Sequence, residues 1–503
     1  MRNLEEDRKI LDEIDSQIIK LLEKRMNIIK DVGIYKLNNN LNIEDKNREK
    51  AIINKLEEII SPEFKNIVEP VYKEIFKESK KITSKIKDEN FKYGLIGESL
   101  SHSKSREIHE FFGKYSYNLR DIKKDELEKF FKNRKFKGIN VTIPYKEISI
   151  NYLDEIDDLA KEIGAVNTIV NRNNKLIGYN TDYFGFLYSL KYFDISLKNK
   201  SILILGSGGA SKMLQKLVKD LGAREFVVIS RTGENNYDNL EKFTNFDIII
   251  NASPVGMYPN NMESKINLDK FKNLDALIDL IYNPLNTKLI LDAKKLKIKT
   301  MSGLLMLVAQ AFFAAELFLD EKLDEKLIEK IYKKIKLDME NIVFIGMPSS
   351  GKSTMARKLA QKLNRDFYDT DILVEEKEKM SIAEIFKVKG EDYFRNLESN
   401  VLEEVSKNTG SIIATGGGTI LREENRDNLL QNSLIIYLDR NLENLDLYGR
   451  PLSKNLDSLK ELYKERHKIY EDLSHIKINV IENEEDNLDL ILKEVENYEN
   501  FSN

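Results

Sequence analysis

A helical N-terminal domain followed by two successive α/β units is the fold class the sequence predicts, and three observations predict it. At 503 residues with 41% apolar residues, the chain is too long for a single core and divides into about three units. Residues 1 to about 88 hold a single glycine, Gly33, and repeat apolar residues with a helical period. From Phe91 onward, short apolar runs alternate with charged helical stretches, and two glycine-rich turns follow strand-like segments.

The first domain reads as three helices. Leu11, Ile14, Ile18, Leu22, Ile29 and Val32 mark one helix from about Glu5 to Leu37. That length exceeds the usual span of a globular helix and suggests packing against another subunit. A second helix follows Asp45 and a third follows Pro62. KYGLIG, ending at Gly97, opens the second domain as a strand entering a turn. GLLMLVAQAFFAAELFL, Gly303 to Leu319, carries Gln310 and Glu316, so it reads as a buried helix rather than a membrane span. A charged helix, DEKLIEKIYKKIKLD, then gives way near Asp338 to the strand NIVFIG. The boundaries expected are 1–90, 91–337 and 338–503.

Composition narrows the chemistry. The 80 basic residues nearly cancel the 84 acidic ones, so no global field favours nucleic acid or an anionic membrane. Cysteine is absent and only four histidines occur, which excludes disulfides, Cys-ligated zinc and iron–sulfur clusters. MRNLEEDRK lacks the apolar run of a signal peptide, and a cytoplasmic location is the expectation.

Two glycine loops point to phosphate groups. Strand Ile342 to Ile345 runs into GMPSSGKST, a G-x-x-x-x-G-K-[ST] match at Gly346, Gly351, Lys352 and Ser353. Ser349 and Thr354 lie in the same loop and complete the expected nucleotide contacts. Backbone N–H groups in such a loop, with the next helix N-terminus, cradle a triphosphate, and Ser353 is offered to Mg²⁺. Earlier, KSILILGSGGASKMLQKLVKDLGAREFVVISRT reads strand, turn, helix, strand, with Gly206, Gly208, Gly209 and Ala210 in the turn and Ser211 where the third glycine of G-x-G-x-x-G would stand. The second strand ends at Ser230, Arg231 and Thr232 without an acid, which favours NADP over NAD because Arg231 attracts a 2′-phosphate.

Downstream of the first of these motifs come DTD at Asp369 to Asp371, Phe394–Arg395, the triple glycine Gly416 to Gly418 and GRPL at Gly449 to Leu452. In this order they resemble shikimate kinase across the whole third domain. The resemblance implies ATP as phosphate donor, Asp371 as the base on the shikimate hydroxyl, and Asp369 holding Mg²⁺ through water. It further implies Arg395 and Arg466 on the substrate carboxylate, Gly417 lining the substrate site, and Arg450 on a closing lid. Two forked guanidiniums fix the orientation of a small carboxylate as well as its charge. Only Arg440 precedes the lid arginine, where relatives often carry a further basic residue over adenine.

Seven blocks, GESLSHSKS, GINVTIPYKE, GAVNT, GYNTDYFG, INASPVGM, DLIYNP and GLLMLVAQA, resemble shikimate dehydrogenase from about residue 92 to 335. The resemblance implies that Ser103, Ser105, Thr142, Asn167 and Gln310 bind 3-dehydroshikimate and that Lys146 and Asp182 form the catalytic pair. Glu98, Ser99 and Arg106 depart from the usual first block, Arg106 replacing a common proline.

In the first domain, Arg25 and Lys36 are 11 residues apart and share a helix face, roughly 16 Å apart along the axis. Arg8 is 17 residues before Arg25 and lies about 100° round the helix, so it does not easily enter the same pocket from the same chain, and a partner subunit could supply it. With Asp45, Arg48 and Glu49 on the second helix, the set resembles the all-helical chorismate mutases. This implies a homodimer in which Arg8 and Arg25 hold the carboxylates of chorismate, Lys36 faces the ether oxygen, and Asp45 and Glu49 hold the hydroxyl, with Arg48 in the same site. Thr83 aligns with the family's second donor to that oxygen, generally Gln or Glu. Two other readings stay open: the helical segment is only a dimerisation or effector-binding module, or the middle domain is an NAD-linked oxidiser of quinate or shikimate.

Overall fold

The computed structural model describes residues 3–38, 46–100, 103–231, 233–445 and 456–501. Helix α1 (Leu4–Asn38) carries acids in its first turn and Lys36 in its last, as the helix dipole favours. It packs on α3 (Lys65–Asn90), as does α2 (Lys46–Ile59), and Pro62 begins a short 3₁₀ turn that leads into α3. Gly33 permits the close approach, since a Cβ there would sit 3.2 Å from Thr83 Cγ2. Leu11 and Ile18 on α1 are 58% and 48% exposed, so one chain leaves an apolar face of this helix uncovered.

The substrate lobe comprises β1 (Tyr93–Gly97), α4 (Ser105–Glu110), β2 (Tyr117–Asp121), α5 (Leu127–Asn133), β3 (Gly138–Val141), β4 (Glu155–Ile156), α6 (Asp158–Ile163), β5 (Thr168–Arg172), β6 (Lys175–Tyr179) and α7 (Thr181–Tyr192). Its mixed sheet runs β2-β1-β3-β5-β6-β4. The next lobe comprises β7 (Ser201–Leu205), α8 (Gly209–Asp220), β8 (Glu225–Ile229), β9 (Ile248–Asn251), β10 (Ala276–Asp279), α9 (Lys288–Lys295) and β11 (Lys299–Met301). These strands form a parallel sheet, β11-β10-β9-β7-β8, whose order reverses between β7 and β9. The strands SILIL and IIIN are buried throughout, as strands covered on both faces must be.

Helix α10 (Leu304–Leu319) returns to the substrate lobe and crosses α7 at Gly185, where a Cβ would meet the Met306 carbonyl at 2.8 Å. It is the predicted buried helix. Among the described residues, no helix is long and apolar enough to cross a membrane. Helix α11 (Lys326–Met339) packs on α10 and leads directly into the third unit.

That unit contains β12 (Asn341–Ile345), α12 (Lys352–Leu363), β13 (Phe367–Asp369), α13 (Thr370–Glu378), α14 (Ile382–Lys389), α15 (Glu391–Ser406), β14 (Ile412–Ala414), α16 (Glu423–Gln431), β15 (Ser433–Asp439), α17 (Leu456–Leu473), β16 (Ile476–Asn479) and α18 (Glu484–Phe501). The sheet β13-β14-β12-β15-β16 is wholly parallel, with β12 and its loop at the centre.

Candidate active sites

In the substrate lobe, the loop after β1 folds onto the turn after β3: a Cβ at Gly97 would lie 2.7 Å from Thr142 Cγ2. Ser103 Oγ donates to Ser105 Oγ at 3.1 Å and accepts from the Ser105 amide at 3.2 Å. The turn after β3 is tied to the strand entry beside it, since Val166 N donates to Lys146 O and Val141 N to Asn167 O. Asn167 then becomes a hub. Its Oδ1 accepts from the Thr181 amide at 2.7 Å, and its Nδ2 donates to Gln310 Oε1 at 3.3 Å. Lys146 Nζ stands 2.6 Å from Asp182 Oδ2, with both side chains mostly buried.

The cofactor loop faces this pair. A Cβ at Gly209 would come within 3.9 Å of the Lys146 side chain, which places the start of α8 directly across the cleft. Gly206 has φ +109°, and a Cβ there would approach the Ala252 carbonyl to 2.9 Å, so the turn needs glycine on both counts. Gly208 caps α8 without a side-chain bond, and with Gly209 and Ala210 it leaves first-turn N–H groups directed at the cleft. Ser211 is completely buried where a third glycine was expected. Arg231 is exposed at the end of β8, and Thr232 lies outside the described residues. Arg106 turns away from the site, its Nε donating to Tyr117 O at 3.0 Å, so the departure from proline is absorbed by a bond to β2.

In the third unit, Gly346, Ser349 and Gly351 all have positive φ, which wraps the loop around the start of α12. Lys352 Nζ donates to the carbonyls of Gly346 and Met347, while Ser353 and Thr354 sit exposed in the first turn. A cavity of about 350 Å³ is lined by this loop together with Asp371, Arg440 and Ile481. Asp369 caps α13, its Oδ1 accepting from the amide of Asp371 at 3.0 Å. The triple glycine is wedged among functional side chains. A Cβ at Gly416 would sit 2.6 Å from Asp371 Oδ1 and from Glu398 Oε1, and one at Gly417 would sit 2.9 Å from Pro348. Arg395 pairs with Glu398 at 2.8 Å. Arg466 is 3% exposed, its Nε makes no hydrogen bond among the described residues, and Glu465 is 3.7 Å away. Tyr470, which packs beside it, donates to Gly417 O. Arg450 lies outside the described residues.

The helical unit gathers part of its expected set. Arg25 Nη1 donates to Ser79 Oγ at 2.8 Å, and Glu49 pairs with Lys80 at 3.1 Å. Lys36 is half-buried, Arg48 and Arg8 are exposed, and Asp45 lies outside the described residues. The Thr83 hydroxyl donates back to the carbonyls of Ser79 and Lys80. Ser79 and Glu398 were not found by sequence reasoning. Ser79 is four residues from Thr83 and faces the same side of α3, and Glu398 is three residues from Arg395, so helical spacing was the available signal.

These features define a two-lobed dinucleotide-dependent dehydrogenase joined to a P-loop kinase, behind a helical unit. Family models match in the same order: chorismate mutase type II at residues 7–84, shikimate dehydrogenase substrate binding domain at 95–169, and shikimate kinase at 348–496. The shikimate dehydrogenase (NADP(+)) of Clostridium beijerinckii is 40% identical over 254 residues, 46% of this chain and 94% of that relative. The corresponding protein of Clostridium botulinum is 39% identical over 246 residues, 45% of this chain and 95% of the relative. A chorismate mutase/shikimate 5-dehydrogenase fusion protein from Clostridium acetobutylicum, solved by crystallography, is 36% identical, with a TM-score of 0.47 over 49% of this chain and 97% of its own. The chain belongs to the shikimate dehydrogenase family, and it is a multifunctional shikimate-pathway enzyme that joins that dehydrogenase to chorismate mutase and shikimate kinase domains.

Proposed function

We propose that the three activities divide at residues 1–90, 91–337 and 338–503, and that each uses the residues gathered above. The observation that carries the reading is the 2.6 Å Lys146–Asp182 pair facing Gly209 across one cleft. NADPH is the cofactor of the middle domain, its 2′-phosphate held by Arg231 with Thr232 and its pyrophosphate by Gly206, Gly208, Gly209 and Ala210. The nicotinamide supplies the hydride when bound. Lys146 delivers a proton to the carbonyl oxygen as that carbon is reduced, and Asp182 keeps the ammonium charged and aimed. Ser103, Ser105, Thr142, Asn167 and Gln310 hold the hydroxyls and carboxylate of 3-dehydroshikimate.

In the third domain, Gly346, Ser349, Gly351, Lys352, Ser353 and Thr354 grip the phosphates of ATP. The donor set suits Mg²⁺, since the Ser353 hydroxyl stands exposed at the phosphate loop and the Asp369 carboxylate ends β13. Mg²⁺ would screen charge on the transferring phosphoryl group. Asp371 accepts the proton of the attacking shikimate hydroxyl. Arg395 and the buried Arg466, whose Nε has no hydrogen-bond partner among the described residues, bind the carboxylate beside Gly417. Arg450 closes over the phosphates.

The first domain works as a homodimer. Arg8 of one chain joins Arg25, Lys36, Asp45, Arg48, Glu49 and Thr83 of the other to hold chorismate folded and to stabilise charge on its ether oxygen, which needs no nucleophile. The back-bonded Thr83 hydroxyl favours a second reading, in which this domain only dimerises or binds an effector. An assay of the purified full-length protein with 3-dehydroshikimate, shikimate and chorismate tests all three assignments. Absence of prephenate alone would select the second reading for the helices, and absence of the other two products would refute the sites as drawn.

A further inference from the structure

The segment between β9 and β10 forms one wall of the dinucleotide cleft, since Ala252 and Ser253 abut Gly206 at the switch point of the sheet. Its root is fixed within its own lobe. Asn251 Oδ1 accepts from the Ser253 amide and hydroxyl, and Asn251 Nδ2 donates to Asp279. Its tip is fixed elsewhere. Asn261, which is buried, donates to Gln431 Oε1, and Gln431 Nε2 donates to Asn261 O at 2.9 Å. Tyr258 in the same segment donates to Ser406 O at 3.3 Å.

Gln431 is the last residue of α16, in the kinase, and it is completely buried. Among the described residues, both hydrogen bonds of its side chain go to Asn261, and its carbonyl accepts from Asn286 N at 2.9 Å, so this residue is committed to the dehydrogenase. Around it, Lys295 pairs with Glu423 at 2.8 Å and with Asp427 at 2.9 Å. A primary amide that both donates to and accepts from one residue fixes that residue in distance and orientation. Buried amides left without these partners would not hold the same backbone path.

We propose that Gln431 is a positioning residue for the dehydrogenase reaction: through Asn261 it holds the 252–263 segment against the glycine turn, so that the kinase domain sets the affinity of the neighbouring domain for NADPH. The segment is anchored in the dehydrogenase at its root, where Gly256 also lies against Thr287, and on the kinase at its tip. Loss of the distal anchor leaves the segment an ensemble of positions, and NADPH binding then has to select among them. The chemical pair, Lys146 and Asp182, lies on the opposite lobe and is untouched.

This rests on the NADP-dependent reading of the middle domain, and the experiment separates the two. In the full chain, Gln431→Ala, Asn261→Ala and the double variant are compared for KM and kcat with NADPH, for KM with 3-dehydroshikimate, and for shikimate phosphorylation. The expected result is an NADPH KM raised by about fivefold or more in each single variant and by the same factor in the double, as coupled residues behave. The kcat of reduction, the KM for 3-dehydroshikimate and phosphorylation should stay within about twofold of the parent. An NADPH KM within about twofold of the parent in either single variant overturns the proposal, as do penalties that multiply in the double. So does parallel loss of reduction and phosphorylation in Gln431→Ala with unchanged NADPH KM, which is the behaviour of a purely structural residue. A parent protein that does not use NADPH would instead refute the reading beneath it.

Discussion

The dehydrogenase lobes and the N-terminal helices handle apolar residues in opposite ways. Ile96, Ile108 and Ile139 of the substrate lobe are 0% exposed, whereas Leu11, Ile14 and Ile18 of α1 stand open in a single chain. The dehydrogenase closes its core within one chain and brings Lys146, Asp182, Asn167 and Gln310 to one cleft from four segments. The helices leave an apolar face of α1 open in a single chain. The difference separates a domain that buries its apolar residues within one chain from one that leaves an apolar helix face open.

The largest expected effect tests the self-contained half. Lys146→Ala should lower 3-dehydroshikimate reduction by about 10² to 10⁴-fold, the range of a positioned general acid, and leave shikimate phosphorylation near the parent rate. Spectrophotometric assays of both reactions on one preparation decide it, and equal losses in both would show that the domains do not fold independently of this residue.

The second tests the unfinished half. Ile14→Glu places a charge on the open face of α1 and should convert the protein to monomers in sedimentation velocity, with mutase activity lost by about a hundredfold or more as the site loses its partner arginine. Mixed dimers of Arg8→Ala and Lys36→Ala chains should regain mutase turnover, because one of the two sites then carries both cations. A monomeric parent protein would remove the premise.

A third concerns the cofactor. With Arg231 exposed at the end of β8 and no neighbouring acid, kcat/KM for NADPH should exceed that for NADH by about tenfold or more, and Arg231→Ala should erase most of that margin. Equal use of both cofactors by the parent would count against a 2′-phosphate site at Arg231.

A fourth prediction uses pH to separate the two halves. All four histidines lie beyond residue 100, and His109 is completely buried in the substrate lobe. Partial desolvation of the ring, together with Lys336 and Lys294, holds His475 down to about 4, and its Nδ1 accepts from the Ile435 amide at 3.0 Å. Burial likewise holds His109 down to about 3. The native state therefore binds these protons less readily than the unfolded state. Their contribution to stability is whole above pH 6.5 and is lost as pH falls toward 4. At pH 5 the kinase region should be less stable than at pH 7.5, and His475→Gln should flatten that slope. Urea titrations at the two pH values measure it, with the helical segment as a histidine-free internal control.

Local pattern made most of the fold legible. The period of α1, the breaks before α2 and α3, both glycine turns and the buried α10 follow from sequence spacing, because each depends on neighbours within about two turns or one strand. The partners that complete the sites depend on tertiary approach. Ser79 reaches Arg25 across 54 residues, and Gln431 reaches Asn261 across 170. Neither residue type announces such a contact. Arg106 shows the converse, a local departure from a motif whose side chain bonds to β2.

The smallest expected effect concerns Thr83, where the two halves of the comparison meet in one side chain. In the dehydrogenase, polar groups are aimed into the cleft by bonds to other elements. On α3 the Thr83 hydroxyl is instead turned onto its own helix, donating to Ser79 O at 3.1 Å and Lys80 O at 3.0 Å, as β-branched hydroxyls in helices commonly do. Its methyl group packs at Gly33, one turn before Lys36, so the residue sits beside the expected site of the ether oxygen without presenting a donor to it. An amide on a longer side chain would keep its N–H out of reach of those carbonyls and free to point inward. Removal of one such donor from oxyanion sites costs about 2.7 to 4 kcal/mol, and adding one at an unoptimised position should recover a fraction of that, about severalfold in kcat. Thr83→Gln should thus raise mutase kcat with less change in KM, since the new bond strengthens as charge develops on the oxygen. Steady-state loss of chorismate by the purified protein measures it beside Lys36→Ala. A Lys36→Ala variant as fast as the parent would mean that the helices hold no mutase site. A slower Thr83→Gln with a disabled Lys36→Ala would mean that the threonine hydroxyl leaves its helix carbonyls to serve the reaction.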